Sequence, residues 1–191
     1  IDHDILYNMI AKKIADPKVL WLTNVILDST ENPGIPVGSY TSQWYANIYL
    51  HKMDMFIKHD LRIKKYVRYM DDFILILPSK EDAQKALEKI NQFVTEELHL
   101  ELNRKTQISP LKNGVNFCGY KIWATHMKTR TESKRRIKRK LKKFQQKYKE
   151  GDIEAEEIKQ VLMSWAGYAK HADSYWLINK IFNQFCFSRQ S

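Results

Sequence analysis

The chain has 191 residues, enough for one core and a smaller second unit, and its 43% hydrophobic and 12% aromatic content excludes a disordered segment. No apolar run approaches the length of a bilayer span, and the opening IDHDIL puts acids where a secretory leader needs bases, so no membrane partner is expected. The net charge of +10 resides in one stretch: residues 128–149, KTRTESKRRIKRKLKKFQQKYK, hold twelve Lys/Arg against one Glu, which calls for a polyanionic partner.

In chain order, residues 2–14 read as a helix with Asp2 as its N-cap, and Pro17 fits the first turn of a second helix, 17–28. ENPGIPVGSY, 31–40, is a loop. Residues 41–60 read as a helix with Trp44, Ile48, Met55 and Phe56 inward and Thr41 or Ser42 as cap. Residues 65–77 read as two short strands turning near Met70-Asp71-Asp72. Residues 81–98 form an amphipathic helix along Ala83, Leu87, Ile90 and Val94. Strands are expected around 105–109 and 115–123, with Lys112-Asn113-Gly114 as a turn. Composition shifts near residue 127. Beyond it Ile137, Leu141, Phe144 and Tyr148 recur at helical spacing, so the basic stretch is an amphipathic helix closed by Glu150-Gly151-Asp152. A final helical region carries Ile158, Leu162, Trp165, Ala169, Ala172 and Trp176. The order points to an α+β layer with a helical appendage. Cys118 and Cys186, in the apolar settings NFCGY and QFCFS, read as small buried side chains in a reducing, cytoplasmic compartment.

YVRYMDDFILIL, 66–77, sets two adjacent carboxylates among β-formers. Two neighbouring carboxylates repel each other, and an apolar setting disfavours both. One reading is a solvated turn, since Asp is a common turn residue. The other is a divalent-cation site, which removes both penalties: Mg²⁺ takes carboxylate oxygens plus substrate phosphates and waters. Two such ions activate an attacking hydroxyl and stabilise a leaving phosphate.

The context of that motif resembles reverse transcriptases. YMDD between a basic and an apolar strand resembles their active-site hairpin; GIPVGSYTSQWYANIYL (34–50) their loop and helix at the templating base; LNRKTQI (102–108) the segment whose lysine faces the triphosphate; and NFCGYKI (116–122) the primer-grip hairpin. The resemblance covers residues 1–125 well and the remainder loosely. It implies the C-terminal part of a right-handed polymerase palm over residues 1–126, an antiparallel sheet with helices, followed by an all-α basic thumb, 127–191. It also implies RNA-templated DNA synthesis with two Mg²⁺ ions, Mn²⁺ substituting, held by Asp71 and Asp72. RNA template, DNA primer and dNTP are the partners.

The loop narrows the resemblance. An aliphatic Val37 before Gly38, with Ser42-Gln43 four and five positions after that glycine, resembles diversity-generating retroelement enzymes, which copy a template-repeat RNA with frequent errors at adenines and work with a small basic accessory protein. Group II intron enzymes commonly carry Gln-Gly there; intron, retron and phage-defence enzymes remain alternatives, as does a non-catalytic nucleic-acid-binding fragment. Relatives place a third metal-binding Asp just before a segment resembling S-I-D-H, and this sequence opens at I-D-H. The expectation is therefore a fragment lacking the fingers and that Asp, inactive alone and able to self-associate through exposed palm surface. Asp4, Asp54 and Asp60 match no motif and read as solvated helix charges.

Each position has a plainer reading beside its family one. Gly38 serves a turn or admits a base pair to the backbone, and Val37 packs or lends apolar contact to the nucleotide. Ser42 and Gln43 cap a helix or touch substrate; Tyr69 and Met70 flank the nucleotide or merely form the hairpin. Lys105 is solvated, or donates a proton to departing pyrophosphate. Phe117, Cys118, Gly119 and Tyr120 are primer-grip positions by resemblance, with Phe117 and Tyr120 favoured as core. Trp165, Tyr168 and Trp176 read as thumb core. Lys134, Arg135, Lys138, Arg139, Lys142 and Lys143 lie on or beside the outer face of the basic helix, where phosphate contact is expected.

Overall fold

Asp2 accepts a hydrogen bond from Ile5 N at 3.1 Å and so starts α1, His3–Ala11. Asp16 does the same for α2, Pro17–Leu27, accepting from Lys18 N and Val19 N at 2.8 and 3.2 Å. Pro17 opens that helix, where its missing N–H would have had no partner. The computed structural model describes residues 1–188, and its chain packs as two units, residues 1–108 and residues from 109 onward. That division falls ahead of the compositional shift near residue 127.

In the first unit α3, Tyr40–Met55, has Ser39 at its N-cap position in place of Thr41 or Ser42, with the Ser39 hydroxyl bonded to that of Thr41 and not to a helix N–H, and it runs on into a π-helical turn, Phe56–Asp60. Its inward stripe is Tyr45, Tyr49, Met53 and Ile57, while Trp44, Ile48 and Met55 face outward, contrary to the sequence expectation. Tyr49 decides the register. Its ring is fully buried, and its hydroxyl donates to the Leu98 carbonyl at 2.6 Å while accepting from Asp2 N at 3.3 Å. A buried phenol with both hydrogen-bonding roles filled is as good a core residue as an aliphatic one. Hydropathy reading had set the tyrosines aside.

The strands β1, Tyr66–Tyr69, and β2, Asp72–Leu75, pair antiparallel with Tyr66 opposite Leu75 and Tyr69 opposite Asp72. Ser79 caps α4, Lys80–Leu98, by accepting from Asp82 N at 3.0 Å, and His99 ends it in the left-handed region at φ 47°. Ala86, Ile90, Val94 and Leu98 bury against α1 and α3, and Phe93 stacks on Phe56 at 4.1 Å. Fully buried side chains such as Leu6, Leu27, Ile57, Ile90 and Leu98 contribute about 1.5–3 kcal/mol each.

Residues 105–109 form no strand; a turn over 104–105 precedes irregular chain. The second unit opens instead with a 3₁₀ turn, Leu111–Asn113. Gly114 follows at φ 69°, with Trp123 so close that a Cβ would sit 2.6 Å from the indole. A three-stranded antiparallel sheet then forms in the order β3, Val115–Phe117; β4, Tyr120–Ile122; and β5, Met127–Thr129. The strand β5 had no expectation behind it, because it straddles the compositional shift. Three helices follow: α5, Thr131–Glu150, closed by Gly151 at φ 84°; α6, Ala155–Lys170; and α7, Tyr175–Gln184. Ile137, Leu141, Ile181 and Phe185 make their core, with Phe144, Leu162 and Trp165 packed against it. The single helical region expected beyond 152 is broken at 171–174, where the Ser174 hydroxyl donates to the Ala169 carbonyl, and Trp176, expected inside, is 82% exposed. Cys118 and Cys186 are also exposed, not buried, Cys118 because it occupies a hairpin turn.

Candidate active site

Asp71 and Asp72 stand at the tip of the β1–β2 hairpin. Met70 and Asp71 are the two loop residues, and Met70 takes a left-handed φ of 57° to turn the chain. Both carboxylates are exposed and, among the described residues, neither accepts a hydrogen bond or meets a cation. Asp71 lies in the turn and Asp72 opens β2 opposite Tyr69, both exposed, so the solvated end of the ladder carries the charge and no strand interior has to bury it. No cluster of three or more metal-ligating side chains forms among the described residues. Two unpartnered oxygen donors side by side do suit a hard divalent cation, which completes its shell with water and phosphate.

The tip is braced from below. Arg68 Nε donates to Asp54 Oδ1 at 2.8 Å and Nη2 to Oδ2 at 2.7 Å, while Nη1 reaches the Met70 carbonyl at 2.8 Å and Asn47 Oδ1 at 3.3 Å. Tyr66 donates to the same Asp54 Oδ1 at 2.5 Å. Burial alone would raise the Asp54 carboxyl, but the hydrogen bonds from Arg68 and Tyr66 outweigh it and hold the group below the usual carboxylate range. The bond to Asp54 raises Arg68, and burial followed by that same carboxylate pushes the Tyr66 phenol up. Asp54 is therefore a hub and not the solvated helix charge expected from sequence.

These bonds also fix a direction. Asp54 meets Tyr66 and Arg68, and Asn47, about two turns earlier on α3, meets Arg68. Strand β1 therefore runs antiparallel to α3, with its Met70 end directed toward the helix N-terminus, which residues 34–39 lead into. Here Val37 is fully exposed, so it packs on nothing, and Gly38 adopts φ 86° with open space where a Cβ would project. That φ is what a glycine admits at little cost. Ser42 is buried beneath the loop and donates its hydroxyl to the Pro36 carbonyl, bracing the loop from inside, while Gln43 is exposed and unbonded among the described residues. Tyr69 and Met70 are exposed at 62% and 42%. Tyr40 and Trp44, one turn apart and 89% and 70% exposed, add an aromatic ledge that periodicity had assigned to the core or ignored.

Lys105 is exposed in its turn, where Asn103 Oδ1 accepts from its backbone N at 2.9 Å. Asp2 caps α1 and meets His99 Nδ1 at 3.0 Å, so it has structural work of its own. In the second unit Cys118 and Gly119, at φ 46° and 88°, are the two loop residues of the β3–β4 hairpin; positive φ at both is a type I′ turn. The Tyr168 hydroxyl donates to the Gly119 carbonyl, and Tyr120 donates to the Tyr168 carbonyl at 2.8 Å, with the rings stacked at 4.9 Å. Phe117 is half-buried beside them. On α5, Arg135, Arg139, Lys142 and Lys143 are exposed and Lys134 and Lys138 half-buried, over the buried Ile137 and Leu141; no carboxylate pairs with any of the six among the described residues.

Residues 1–122 match the family described as reverse transcriptase (RNA-dependent DNA polymerase). The chain belongs to the reverse transcriptase family. Divalent metal ions generally serve that family, in keeping with the free carboxylate pair of this reverse transcriptase chain. The group II intron-encoded protein LtrA of Lactococcus lactis subsp. cremoris is 28% identical over 194 residues, covering 64% of this chain and 32% of that protein. The putative COX1/OXI3 intron 2 protein of Saccharomyces cerevisiae is 25% identical over 191 residues, covering 65% of this chain and 22% of that protein. The reverse transcriptase chain thus spans a third or less of the length of these curated relatives.

Sequence reasoning missed Arg68, Asp54 and Asn47 as parts of this site. The available signal was an arginine two residues before Met70, on a strand whose neighbours are aromatic or aliphatic; such a charge needs a partner.

Proposed function

We propose that this chain supplies the carboxylate hairpin and a nucleic-acid-holding helix to an RNA-templated DNA polymerase. The single observation that carries this reading is the pair of free carboxylates at a braced hairpin tip in a chain of the reverse transcriptase family. Residues 1–126 serve as palm and 127–191 as thumb. Asp71 and Asp72 hold the divalent ions, two Mg²⁺ with Mn²⁺ as substitute. When bound, these supply Lewis acidity to the primer 3′-hydroxyl and offset charge on the departing pyrophosphate.

The chain's own groups do the rest. Arg68 fixes the carbonyl of Met70, and so the direction in which the next two carboxylates point. Gly38 leaves the templated base pair room against the backbone, and Val37 and Gln43 border it. Lys105 gives a proton to the pyrophosphate as the primer hydroxyl displaces it in line. Tyr120 is engaged by Tyr168, so the primer grip would act through the backbone of Cys118-Gly119. The basic face of α5 holds template–primer phosphates without reading sequence.

Val37 before Gly38, with Ser42-Gln43 after it, supports a diversity-generating retroelement enzyme, with error-prone copying of a template-repeat RNA, a cytoplasmic setting and a small basic accessory protein. Self-association would use the exposed face of α2 around Trp21, Leu22 and Val25. A second reading, a group II intron enzyme, is favoured by the name of the Lactococcus relative, and the yeast relative is likewise named as an intron protein. The deciding experiment for polymerase function is primer extension by an expressed protein that carries this chain, with Asp71→Asn beside the wild type. Loss of extension with retained RNA binding supports the reading, and near-normal extension refutes it.

A further inference from the structure

The first unit is electrically balanced, yet its cations are gathered in one place. Residues 1–108 contain fourteen Lys/Arg and fifteen Asp/Glu. Five of those bases, Arg62, Lys64, Lys65, Lys85 and Lys89, line a single open groove of about 650 Å³, in company with one acid, Asp82. The groove lies between the residues leading into β1, those leaving β2, and the first half of α4. All five bases are exposed, and none meets a carboxylate among the described residues. Asp82 is occupied at the cap of α4, where its carboxylate accepts from the Ser79 hydroxyl at 2.8 Å and its N–H bonds back to that hydroxyl at 3.0 Å.

Five unpaired cations crowded on one concave wall repel each other, and the fold offers no internal compensation. Elsewhere in the same unit a lysine does meet a carboxylate: Lys52 pairs with Glu97, in the last turn of α4, at 2.7 Å. The groove floor is aliphatic, with Ile76 and Leu77 on it, and no aromatic ring lines it, so nothing there stacks on a base. A ligand of this surface is therefore held by charge along its length and not by its bases. The site is separate from the carboxylate tip. Ile76 N donates to Lys65 O at 3.0 Å just beyond the ladder, at the base of the hairpin, and five extended residues from Lys65 to Met70 span about 15 Å.

We infer that this groove is a second phosphate-binding track, which holds the phosphodiester backbone of a single nucleic-acid strand away from the carboxylate tip. A single strand suits it because a flexible phosphodiester backbone can follow a short concavity lined by cations. Binding here is indifferent to sequence, since phosphate contacts position without specifying. It does not depend on polymerase chemistry, and it adds to whatever α5 holds.

The test uses the whole chain and a fluorescent twelve-nucleotide uridine oligomer, without nucleotides or metal, titrated at several salt concentrations. The groove variant Arg62→Ala/Lys64→Ala/Lys85→Ala should weaken binding and reduce the slope of log affinity against log salt by about two units, at roughly 0.7 per lost single-strand contact. The loss should be the same for a thymidine or adenosine oligomer, and it should persist in a background where Lys138, Arg139 and Lys142 are already Ala. A charge-matched control, Lys12→Ala/Lys13→Ala/Lys18→Ala, removes three exposed bases of the same unit from outside the groove and should leave the slope unchanged. Unfolding midpoints of the groove and control variants should match the wild type, because each of their substituted side chains is exposed. An unchanged slope for the groove variant overturns the track. An equal fall for the control overturns it too, in favour of a diffuse field, and equal competition by polyglutamate of the same charge assigns the groove to an acidic protein instead.

Discussion

Arg68 and Asp54 meet through both ends of the guanidinium and both carboxylate oxygens, at 2.8 and 2.7 Å, and the same arginine holds the carbonyl of Met70. A flat fork makes this pairing and an ammonium does not. Arg68→Lys should therefore lower stability by about 1–3 kcal/mol in urea unfolding and lower primer extension more than it weakens oligonucleotide binding. Equal losses in both would reduce Arg68 to a purely structural residue.

The pair also sets an acid dependence. Asp54 titrates below the ordinary carboxylate value in the folded chain, so its contribution is present above the unfolded value and disappears as pH falls through the lowered folded one. Asp54→Asn should flatten that acid limb of the stability curve, measured by unfolding midpoints between about pH 2 and 5. A limb of unaltered steepness would mean that other carboxylates govern it.

Asp71→Asn removes one charged donor from an exposed tip and no internal contact. The melting temperature should be unchanged, single-turnover nucleotide addition should be abolished, and RNA affinity should stay within about twofold, since the tip is not among the phosphate-contacting cations.

Val37→Gln restores the amide common among relatives at a position where the side chain touches nothing in its own chain. Stability should not move. Misincorporation opposite adenine, counted by sequencing of extension products, should fall; an identical error spectrum assigns Val37 no part in base selection.

Replacing Lys138, Arg139 and Lys142 of α5 by Ala together should reduce the salt slope of template–primer binding by about two to three units and leave folding intact. Ile137 and Leu141, which anchor the helix, are untouched.

The helices were legible where one residue does one job: Asp2 and Asp16 are caps, Pro17 opens a helix, and Ile137 and Leu141 face inward on a helix otherwise dense with charge. Legibility failed where a side chain is amphipathic or local pattern competes with partners far along the chain. Tyr45 and Tyr49 carry the inward face of α3 because a phenol can be satisfied inside, which hydropathy spacing does not register. Residues 105–109 look like a strand but have no ladder neighbour, and a strand without one has nowhere to place its backbone bonds. The carboxylates at the tip announced themselves by adjacency. The arginine and aspartate beneath them, from elements fourteen residues apart, did not.

Tyr120 and Tyr168 bond to each other's neighbourhoods in opposite senses, one phenol to the backbone of α6 and the other to the Gly119 carbonyl, across stacked rings. Two fastenings on either side of a stack behave as a bolted bracket and not as a hinge. Within the second unit, then, α6 cannot roll about its axis without dragging the Cys118-Gly119 turn along.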